Sequence, residues 1–549
     1  MNLKNTQLVG RSLSKWLISS GLIIALLFLI DLLFIEDTLL TPFQEFHRCS
    51  KPIRDESTGI TYRLDLKTGK AYAVDKEGNL ASFDKDTGEL RPLGPQRKNW
   101  IVVPEGLIYT HPPISPLYAF FIPALSFKIL LPLSVVFLFL VLSVGIRRVS
   151  IVAKTATVLI FLLLFSIFIR ASFAWLRHGF KEMGTEFLVY ENEDVIFDVP
   201  KVGNIFEFLQ NYPEKIPSLS LHGSHFPPGY VLLLRGIALL GGCSDMTSIK
   251  AHIGLFGWII LILGSTAVIP LYFITRKIFD SEIAFAAGLI FTLVPNSVIF
   301  GAVSMDLLFA ALALWPVWFL LKALDNKGSL LYSFMAGILL ALSTFLSFSG
   351  LVLYLFMFLL IVLRMSKERF LLCLRAAIFT GLGFASVVAF LRVAIGFDFL
   401  ETFLKARELE SRLMSNVAAH FHKKSISELW LYTTWGNLLA FAIFTGFPII
   451  GMWLRALFKG ISAGFREMKA SLSFLVATFV FVLIIGVSGI YHMETERIWL
   501  FVTALVVVAA SGELSKSRLQ DFQRKILYLV CGLLALQTIL FESLLFTIW

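Results

Sequence analysis

The sequence predicts an all-α polytopic membrane protein with about thirteen transmembrane helices. Of its 549 residues, 57% are hydrophobic and 16% are charged, and the mean hydropathy is +0.79. Soluble domains are usually about a quarter charged. This chain has many apolar runs long enough to cross about 30 Å of hydrocarbon. The composition therefore excludes an ordinary soluble protein.

The formal net charge of +10 does not indicate nucleic-acid binding. Most basic residues stand in short clusters at the ends of apolar runs, as the positive-inside rule expects. The four cysteines show neither a Cys-x-x-Cys pair nor the spacing of a metal site. We therefore expect membrane lipids around the chain and no nucleic-acid partner.

The amino-terminal region, residues 1–149, is predicted to hold two spans separated by an external insert. The first span, residues 16–34, follows a basic segment and has no small-residue cleavage site, which is typical of a signal anchor. Turn sequences recur about every ten residues between 58 and 92, and they predict a small β-meander within the insert at 36–117. The second span, at 118–146, ends at Arg147 and Arg148.

The central region, residues 150–365, is predicted to carry the core of the membrane bundle. Its first span begins beside Lys154, so the following loop, residues 173–250, emerges outside. Within that loop, residues 228–241 are apolar but too short to cross, which predicts a helix in the membrane interface. The spans of this region are predicted at 151–172, 253–275, 283–300, 307–321, 330–348 and 351–363.

The carboxyl-terminal region, residues 366–549, completes the predicted bundle around a second external loop at 397–431. Its spans are predicted at 374–396, 431–454, 472–491, 498–510 and 526–549. This topology puts the amino end in the cytoplasm and the carboxyl end outside.

Four polar groups fall at the predicted external face. They are Glu193, Asp194 and Asp198; His222 and His225; Asp306; and Glu494, Glu496 and Arg497. Charged groups at a membrane boundary are costly, so they are functional candidates. Each group also has a structural explanation. The first carboxylates could belong to a solvated loop, and His225 could bond backbone at a helix start. Asp306 could favour a helix amino terminus, and Arg497 could pair with Glu494.

Carboxylates, imidazoles and an arginine at one membrane face fit group transfer from a lipid-phosphate donor. A carboxylate can take the proton of an acceptor hydroxyl. Cations can stabilise the departing phosphate. The interfacial helix and an apolar groove would hold a polyprenyl tail.

Five short motifs carry a resemblance to a known family. In chain order they are Asp198-Val-Pro, Pro227-Pro-Gly229, Tyr272-Phe-Ile-Thr-Arg-Lys277, the run from Ala284 to Pro295, and Ser304-Met-Asp306. This order resembles the polytopic glycosyltransferases of the GT-C fold, in particular the bacterial branch related to the protein O-mannosyltransferases and the lipid A aminoarabinose transferase. The resemblance is strongest over residues 150–365, and Glu494-Thr-Glu-Arg497-Ile-Trp499 extends it weakly.

The resemblance implies roles for individual residues. Asp198 takes the place of the catalytic acidic residue in the first core loop, and we expect it to be the general base. Asp306 takes the place of a second external acidic residue, which we also expect to be catalytic, and His225 takes that of the histidine before Pro-Pro. We expect Glu193, Asp194, His222, His225, Glu494 and Arg497 to bind substrate. Phe226 separates His225 from Pro227, whereas many relatives have His next to Pro, so the choice between His222 and His225 stays open.

The function implied is an inverting membrane glycosyltransferase of the bacterial plasma membrane, acting on its extracytoplasmic side. It would move a hexose or pentose from a polyprenyl-phosphate donor to a lipid, glycan or protein acceptor. A transporter or lipid flippase is the first alternative, although no inverted repeat is evident. An inactive assembly subunit of the same fold is the second. No cofactor is assigned; Glu193, Asp194 and Asp198 could hold a divalent metal, but no ligand set is specific.

Overall fold

The protein is described from a computed structural model. Between residues 126 and 547, the structure describes the chain except for residues 151–154, 178–179, 181–182, 189–193, 326–328, 421–425, 463–469, 492–493 and 515–520. Before residue 126 it describes nine short strands. The first predicted span, residues 16–34, and the site residue Glu193 lie outside the described residues.

The described chain is dominated by α-helices. They are α1 (Leu130–Ser150), α2 (Thr155–Arg177), α3 (Ile205–Gln210), α4 (Tyr212–Lys215), α5 (Leu221–His225), α6 (Gly229–Leu240), α7 (Met246–Ala251), α8 (Ile253–Ser265), α9 (Val268–Ile278), α10 (Ser281–Phe291), α11 (Pro295–Ile299), α12 (Asp306–Ala323), α13 (Leu330–Leu346), α14 (Ser349–Leu363), α15 (Phe370–Phe390), α16 (Phe399–His420), α17 (Ile426–Thr445), α18 (Phe447–Ser462), α19 (Ala470–Val487), α20 (Thr495–Ile498), α21 (Leu500–Ser511) and α22 (Asp521–Leu544).

An all-α polytopic fold is confirmed by the apolar helices of the described residues. Seven of them are long and apolar enough to cross a membrane, and nine spans result if each of two bent pairs is one span. The count of thirteen stays a prediction. Three predicted spans correspond to the shorter helices α13, α14 and α21, with 17, 15 and 12 residues.

The strands stand at the two ends of the chain. They are β1 (Phe46–Arg48), β2 (Ile53–Arg54), β3 (Thr61–Leu64), β4 (Ala71–Val74), β5 (Leu80–Phe83), β6 (Leu90–Pro92), β7 (Ile101–Val103), β8 (Leu107–Tyr109), β9 (Ala119–Phe121) and β10 (Leu545–Thr547). Strands β2 to β6 pair antiparallel in chain order, and β10 pairs with β9. The β-meander within the insert stays a prediction.

The second predicted external loop, residues 397–431, is largely helical in the structure, and its external position stays a prediction. Most of this segment is the 22-residue helix α16, which packs against α4 and α5. Two ion pairs at i,i+4 spacing run along the helix, Glu401 with Lys405 at 3.0 Å and Glu408 with Arg412 at 2.6 Å. Such pairs stabilise a helix that has little apolar surface to bury.

Two predicted spans, 283–300 and 431–454, are bent helix pairs in the structure. The axes of α10 and α11 differ by 68°, and the second pair bends by 107° between α17 and α18. Pro295 begins α11, and Gly446 takes a φ of +98° at the second bend. A proline cannot donate a helical hydrogen bond, and a positive φ favours glycine, so each bend has a local cause.

The segment after the first bend is held by a buried arginine of α2. Arg170 is fully buried, and its guanidinium donates to the Ser297 carbonyl at 2.7 Å and the Ser297 hydroxyl at 2.6 Å. It also donates to the Ser166 carbonyl at 2.8 Å. These bonds fix the start of α11, and the chain reaches Asp306 at the start of α12 a few residues later.

The short apolar segment after Pro-Pro is a helix, as the sequence predicts. A side chain at Gly229, its first residue, would overlap the backbone of Phe345 and Leu346 at the end of α13. The helix ends with Leu239 and Leu240, which are 58% and 84% exposed. The first glycine therefore permits close packing on the bundle, while the far end presents apolar surface suited to lipid.

The predicted sidedness can be tested by labelling single cysteines in a cysteine-free background. Gly203 and Glu214 are exposed on the connection between α2 and α8, and Ser281 and Lys367 are exposed at the opposite helix ends. We expect an impermeant thiol reagent to label Gly203→Cys and Glu214→Cys in intact cells. Ser281→Cys and Lys367→Cys should react only after permeabilisation. Labelling of all four in intact cells would contradict the topology.

Candidate active site

The connection between α2 and α8 folds around two buried carboxylates. Asp194 and Asp198 lie on one 3-10 helix, Asp194–Lys201, and both side chains are fully buried. They face the amino terminus of α5, whose first backbone amides have no partner within the helix. Acidic groups at this position accept hydrogen bonds from the amides and interact favourably with the positive end of the helix dipole. The two aspartates therefore seat α5 against the 3-10 helix.

Asp198 is placed differently from the expectation for a general base. Its oxygens accept from the Ser220 amide at 3.0 Å, the Ser220 hydroxyl at 2.7 Å and Lys201 Nζ at 2.8 Å. Burial raises the pKa of Asp198, although Lys201 and Ser220 oppose this shift. A side chain at Gly223 would overlap the carboxylate. An acceptor hydroxyl therefore has no direct access to Asp198 in this conformation, and the geometry does not favour its predicted role.

Asp194 instead holds a histidine. It accepts from the backbone amides of Leu221 and His222 at 3.2 and 3.1 Å, and its Oδ1 lies 3.2 Å from Nδ1 of the His222 ring. Burial alone would raise the pKa of Asp194, but the contacts with His222 lower it on balance. Burial alone would lower the pKa of His222, but Asp194 raises it. The pair therefore favours a carboxylate beside an imidazolium.

His225, the other histidine of the motif, belongs to a different contact. Its Nδ1 lies 2.5 Å from the carbonyl of Leu221, and its Nε2 lies 3.5 Å from Oε2 of Glu410 on α16. The structure thus separates the two histidines that sequence alone could not rank. His222 pairs with a buried aspartate, and His225 contacts the helix that covers this connection.

Asp306, Glu494 and Arg497 meet although nearly 200 residues separate the first from the others. Arg497 Nε lies 3.3 Å from Asp306 Oδ2, and its NH2 group donates to Glu494 Oε2 at 3.0 Å. The Asp306 backbone amide and carboxylate also share the Ser304 hydroxyl, at 3.2 and 3.1 Å. Arg497 is 4% exposed, against 17% for Asp306 and 24% for Glu494. The arginine is thus buried behind two partly accessible carboxylates.

His222 faces the same cluster. The charges of Arg497 and Glu494 both act on its pKa, the first lowering and the second raising it. Its side chain is 16% exposed, and its ring stacks on Phe226 with centroids 6.0 Å apart. We call His222, Asp306, Glu494 and Arg497 the acidic-arginine cluster. It joins three of the four polar groups that the sequence places at one face.

Glu496 stands apart from this cluster although it adjoins Arg497 in sequence. Its side chain is fully buried, and neither carboxyl oxygen has a hydrogen-bond partner among the described residues. Burial and the charge of Glu494 raise the pKa of Glu496 to about 8. Glu496 is therefore mostly protonated at neutral pH, and it adds little negative charge beside Arg497.

The sequence leaves open a divalent metal site on Glu193, Asp194 and Asp198. Glu193 lies outside the described residues. Asp194 and Asp198 accept hydrogen bonds from amides, a hydroxyl and an ammonium group, so their oxygens are not arranged as metal ligands. In the described part of the chain, no group of three or more His, Cys, Asp or Glu side chains could hold a metal ion. The oxygens of Asp194 and Asp198 therefore do not fit a metal ion.

Several contacts of the site are absent from the sequence prediction. Lys201 and Ser220 donate hydrogen bonds to the carboxylate of Asp198. Ser304 donates to the carboxylate of Asp306, and Glu410 lies 3.5 Å from the His225 ring. The Tyr491 hydroxyl donates to the Ser349 hydroxyl at 3.0 Å, and burial together with Asp306 raises the pKa of Tyr491. The paired charges along α16 are the signal that could have revealed Glu410, because they predict a helix within the external connection.

The backbone of Glu494 is strained, and two substitutions should expose the strain. Its φ of 60° is in the left-handed region, and no other described non-glycine residue has a positive φ. Glu494→Gly and Glu494→Ala both remove the carboxylate, but only glycine adopts this conformation freely. We expect the glycine variant to be more stable by about 1 kcal/mol. Unfolding in one detergent measures the difference, and equal stabilities would contradict it.

One protein family matches part of the chain by sequence. Residues 227–393, less than a third of the chain, match the sequence profile of the family described as dolichyl-phosphate-mannose-protein mannosyltransferase. The match includes Asp306 but not Asp194, Asp198, His222, Glu494 or Arg497. No curated protein sequence matches the chain.

The chain is also similar to solved structures of the Archaeoglobus fulgidus oligosaccharyltransferase. A complex with zinc and sulfate has 16% identity and a TM-score of 0.39, and the alignment covers 70% of this chain and 53% of that one. A complex with an inhibitory peptide and a dolichol-phosphate has 14% identity and a TM-score of 0.40, covering 69% and 55%. This chain spans about half the length of those proteins. The family match confirms the resemblance of the central region to membrane glycosyltransferases of the GT-C fold.

Proposed function

We propose that the protein is a membrane glycosyltransferase that moves one sugar from a polyprenyl-phosphate donor to an extracytoplasmic acceptor. The family matched at residues 227–393 is described by a lipid-phosphate mannose donor and a protein acceptor. For this chain, the sugar can be a hexose or pentose, and the acceptor a lipid, a glycan or a protein. The observation that carries the proposal is the acidic-arginine cluster, which combines a phosphate-binding cation with carboxylates able to accept a proton.

Arg497 is the proposed ligand of the donor phosphate. A guanidinium binds phosphate through two parallel hydrogen bonds. The attraction between the two charges is stronger in a site without water than in bulk water. Arg497 is almost fully buried and already pairs with two carboxylates. A donor phosphate would compete with those carboxylates for the guanidinium. The substrate would therefore take over an existing ion pair without requiring an unpaired buried charge.

Asp306 is the proposed general base. An acceptor hydroxyl is a poor nucleophile at neutral pH, so its proton must pass to a base within hydrogen-bond distance. Asp306 is partly accessible, whereas Asp198 is fully buried by Ser220 and Lys201. Asp198 is then a positioning residue that seats α5. Inversion at the sugar carbon fits a single displacement, with the base on one side and the phosphate on the other.

The first experiment tests the proposed function directly. Purified protein in lipid nanodiscs is incubated with a panel of polyprenyl-phosphate sugars, and release of polyprenyl phosphate is measured. We expect one or more donors to be consumed by the wild-type protein. If the protein neither bound nor consumed any donor but moved lipid across a vesicle membrane, the alternative of a flippase would be favoured.

The choice of base is tested by three aspartate-to-asparagine variants. Asp306→Asn should lower turnover by about 10²- to 10⁴-fold, because the shape is kept and the basicity is lost. Asp198→Asn should mainly lower the melting temperature, because it loses its ion pair with Lys201. Asp245→Asn is the matched control, since Asp245 is an exposed helix cap and asparagine caps equally well. Loss of turnover in a folded Asp198→Asn protein, with Asp306→Asn active, would restore Asp198 as the base.

The phosphate ligand is tested by the donor concentration dependence of Arg497 variants. Arg497→Ala should raise the KM for the donor more than Arg497→Lys, because a lysine keeps the charge but loses the planar fork. Melting temperatures of both variants provide the control for folding. If Arg497→Ala only lowered the melting temperature and left the KM unchanged, Arg497 would be a structural link between Asp306 and Glu494.

A further inference from the structure

The pair of Asp194 and His222 has no role in the reaction described so far. Asp194 is fully buried, and it accepts from two backbone amides in addition to the His222 ring. Those amides fix the carboxylate whether or not the imidazole is charged. The aspartate therefore orients the ring through Nδ1 and leaves Nε2 for an external partner.

His222 is the histidine that faces the acidic-arginine cluster. The side chains of His222 and His225 are about equally exposed, at 16% and 14%, but Arg497 and Glu494 act on the charge of His222. His225 Nδ1 contacts the Leu221 carbonyl, and its Nε2 lies 3.5 Å from Glu410 Oε2 but makes no hydrogen bond among the described residues. The charged groups around His222 are thus Asp194 from the 3-10 helix, Glu494 at the start of α20 and Arg497 within α20. Glu410, from α16, lies against His225 on the same short helix.

We propose that His222, oriented by Asp194, donates a proton from Nε2 to the phosphate that leaves with the polyprenyl lipid. This inference rests on the proposed function. The acceptor oxygen forms a bond to the anomeric carbon, and the bond from that carbon to the phosphate oxygen breaks. The acceptor proton passes to Asp306, and the His222 proton passes to the lipid phosphate monoester. Water then returns a proton to His222 and removes one from Asp306.

The arrangement of charges explains why a histidine is suited to this position. The departing lipid phosphate gains a negative charge as the sugar leaves, while Arg497 is shared with Asp306 and Glu494. An imidazolium supplies a second cation and a transferable proton at the same face. Asp194 stabilises that imidazolium without taking its proton, because its oxygens also hold the α5 amides. Asp194 is therefore a positioning residue and His222 a catalytic one.

The experiment measures binding of polyprenyl phosphate, the leaving group, to the protein in nanodiscs between pH 5.5 and 8.5. Asp194 raises the pKa of His222. Below that pKa the imidazolium is present and binding is strong, and binding weakens as pH rises through it. We expect His222→Gln to bind polyprenyl phosphate about tenfold more weakly at low pH, because it loses one charge-assisted hydrogen bond. The variant should also lose this pH dependence. The two proteins should converge at high pH.

Control variants separate the possible failures. His252→Gln changes an exposed histidine elsewhere and should bind as the wild type does. Asp194→Asn should shift the pH midpoint downward while His222 remains. If the wild type bound polyprenyl phosphate and His222→Gln kept the same affinity and pH profile, the inference would be overturned with the proposed function intact. If the wild type bound polyprenyl phosphate no better than polyprenol, the lipid-phosphate function itself would fail.

Discussion

A buried backbone group without a hydrogen-bond partner is too costly for an apolar interior, and this constraint organises the bundle. The two bent helix pairs free several such groups, and α22 supplies partners for both. Gln537 accepts from the amide of Phe447 at 3.1 Å and donates to the carbonyl of Ile443 at 2.8 Å, across the bend between α17 and α18. Thr538 donates to the carbonyl of Leu293 at 3.0 Å, beside the other bend. One turn of one helix therefore stabilises both corners.

The same constraint sets the position of the acidic-arginine cluster. Arg170 binds Ser297, and the Asn296 amide donates to Thr503 of α21 at 2.7 Å, so α11 is tied to two other helices. That segment leads to Asp306 at the start of α12. Thr495, two residues before Arg497, donates to the carbonyl of Asn437 at 2.7 Å, which ties α20 to α17. Polar bonds within the bundle thus determine where the carboxylate and the arginine meet.

The sequence predicts the class of the fold because span length and basic clusters are local signals. Those signals also put Asp306, Glu494, Arg497 and His222 at one face, and the structure brings these residues together. The bends at Pro295 and Gly446 were missed because a hydropathy window records composition and not direction. The roles of Asp194 and Asp198 could not be distinguished either. They lie four residues apart on one short helix, and only the fold decides which amides and cations each one meets.

Several energetically unfavourable features of the structure lie between Glu494 and Arg497. Within four residues the chain has a left-handed glutamate, a buried glutamic acid without a described partner and an arginine buried between two carboxylates. Each departs from what local preference would choose, and each would destabilise an isolated segment. They persist because the Arg497 amide bonds the Glu494 carbonyl at 3.0 Å and Asn437 donates to the carbonyl of Tyr491 at 2.7 Å. A segment that is strained yet held from both sides is well suited to the proposed site, where a donor phosphate would take over an ion pair of Arg497. Stability alone would favour apolar packing at the same place.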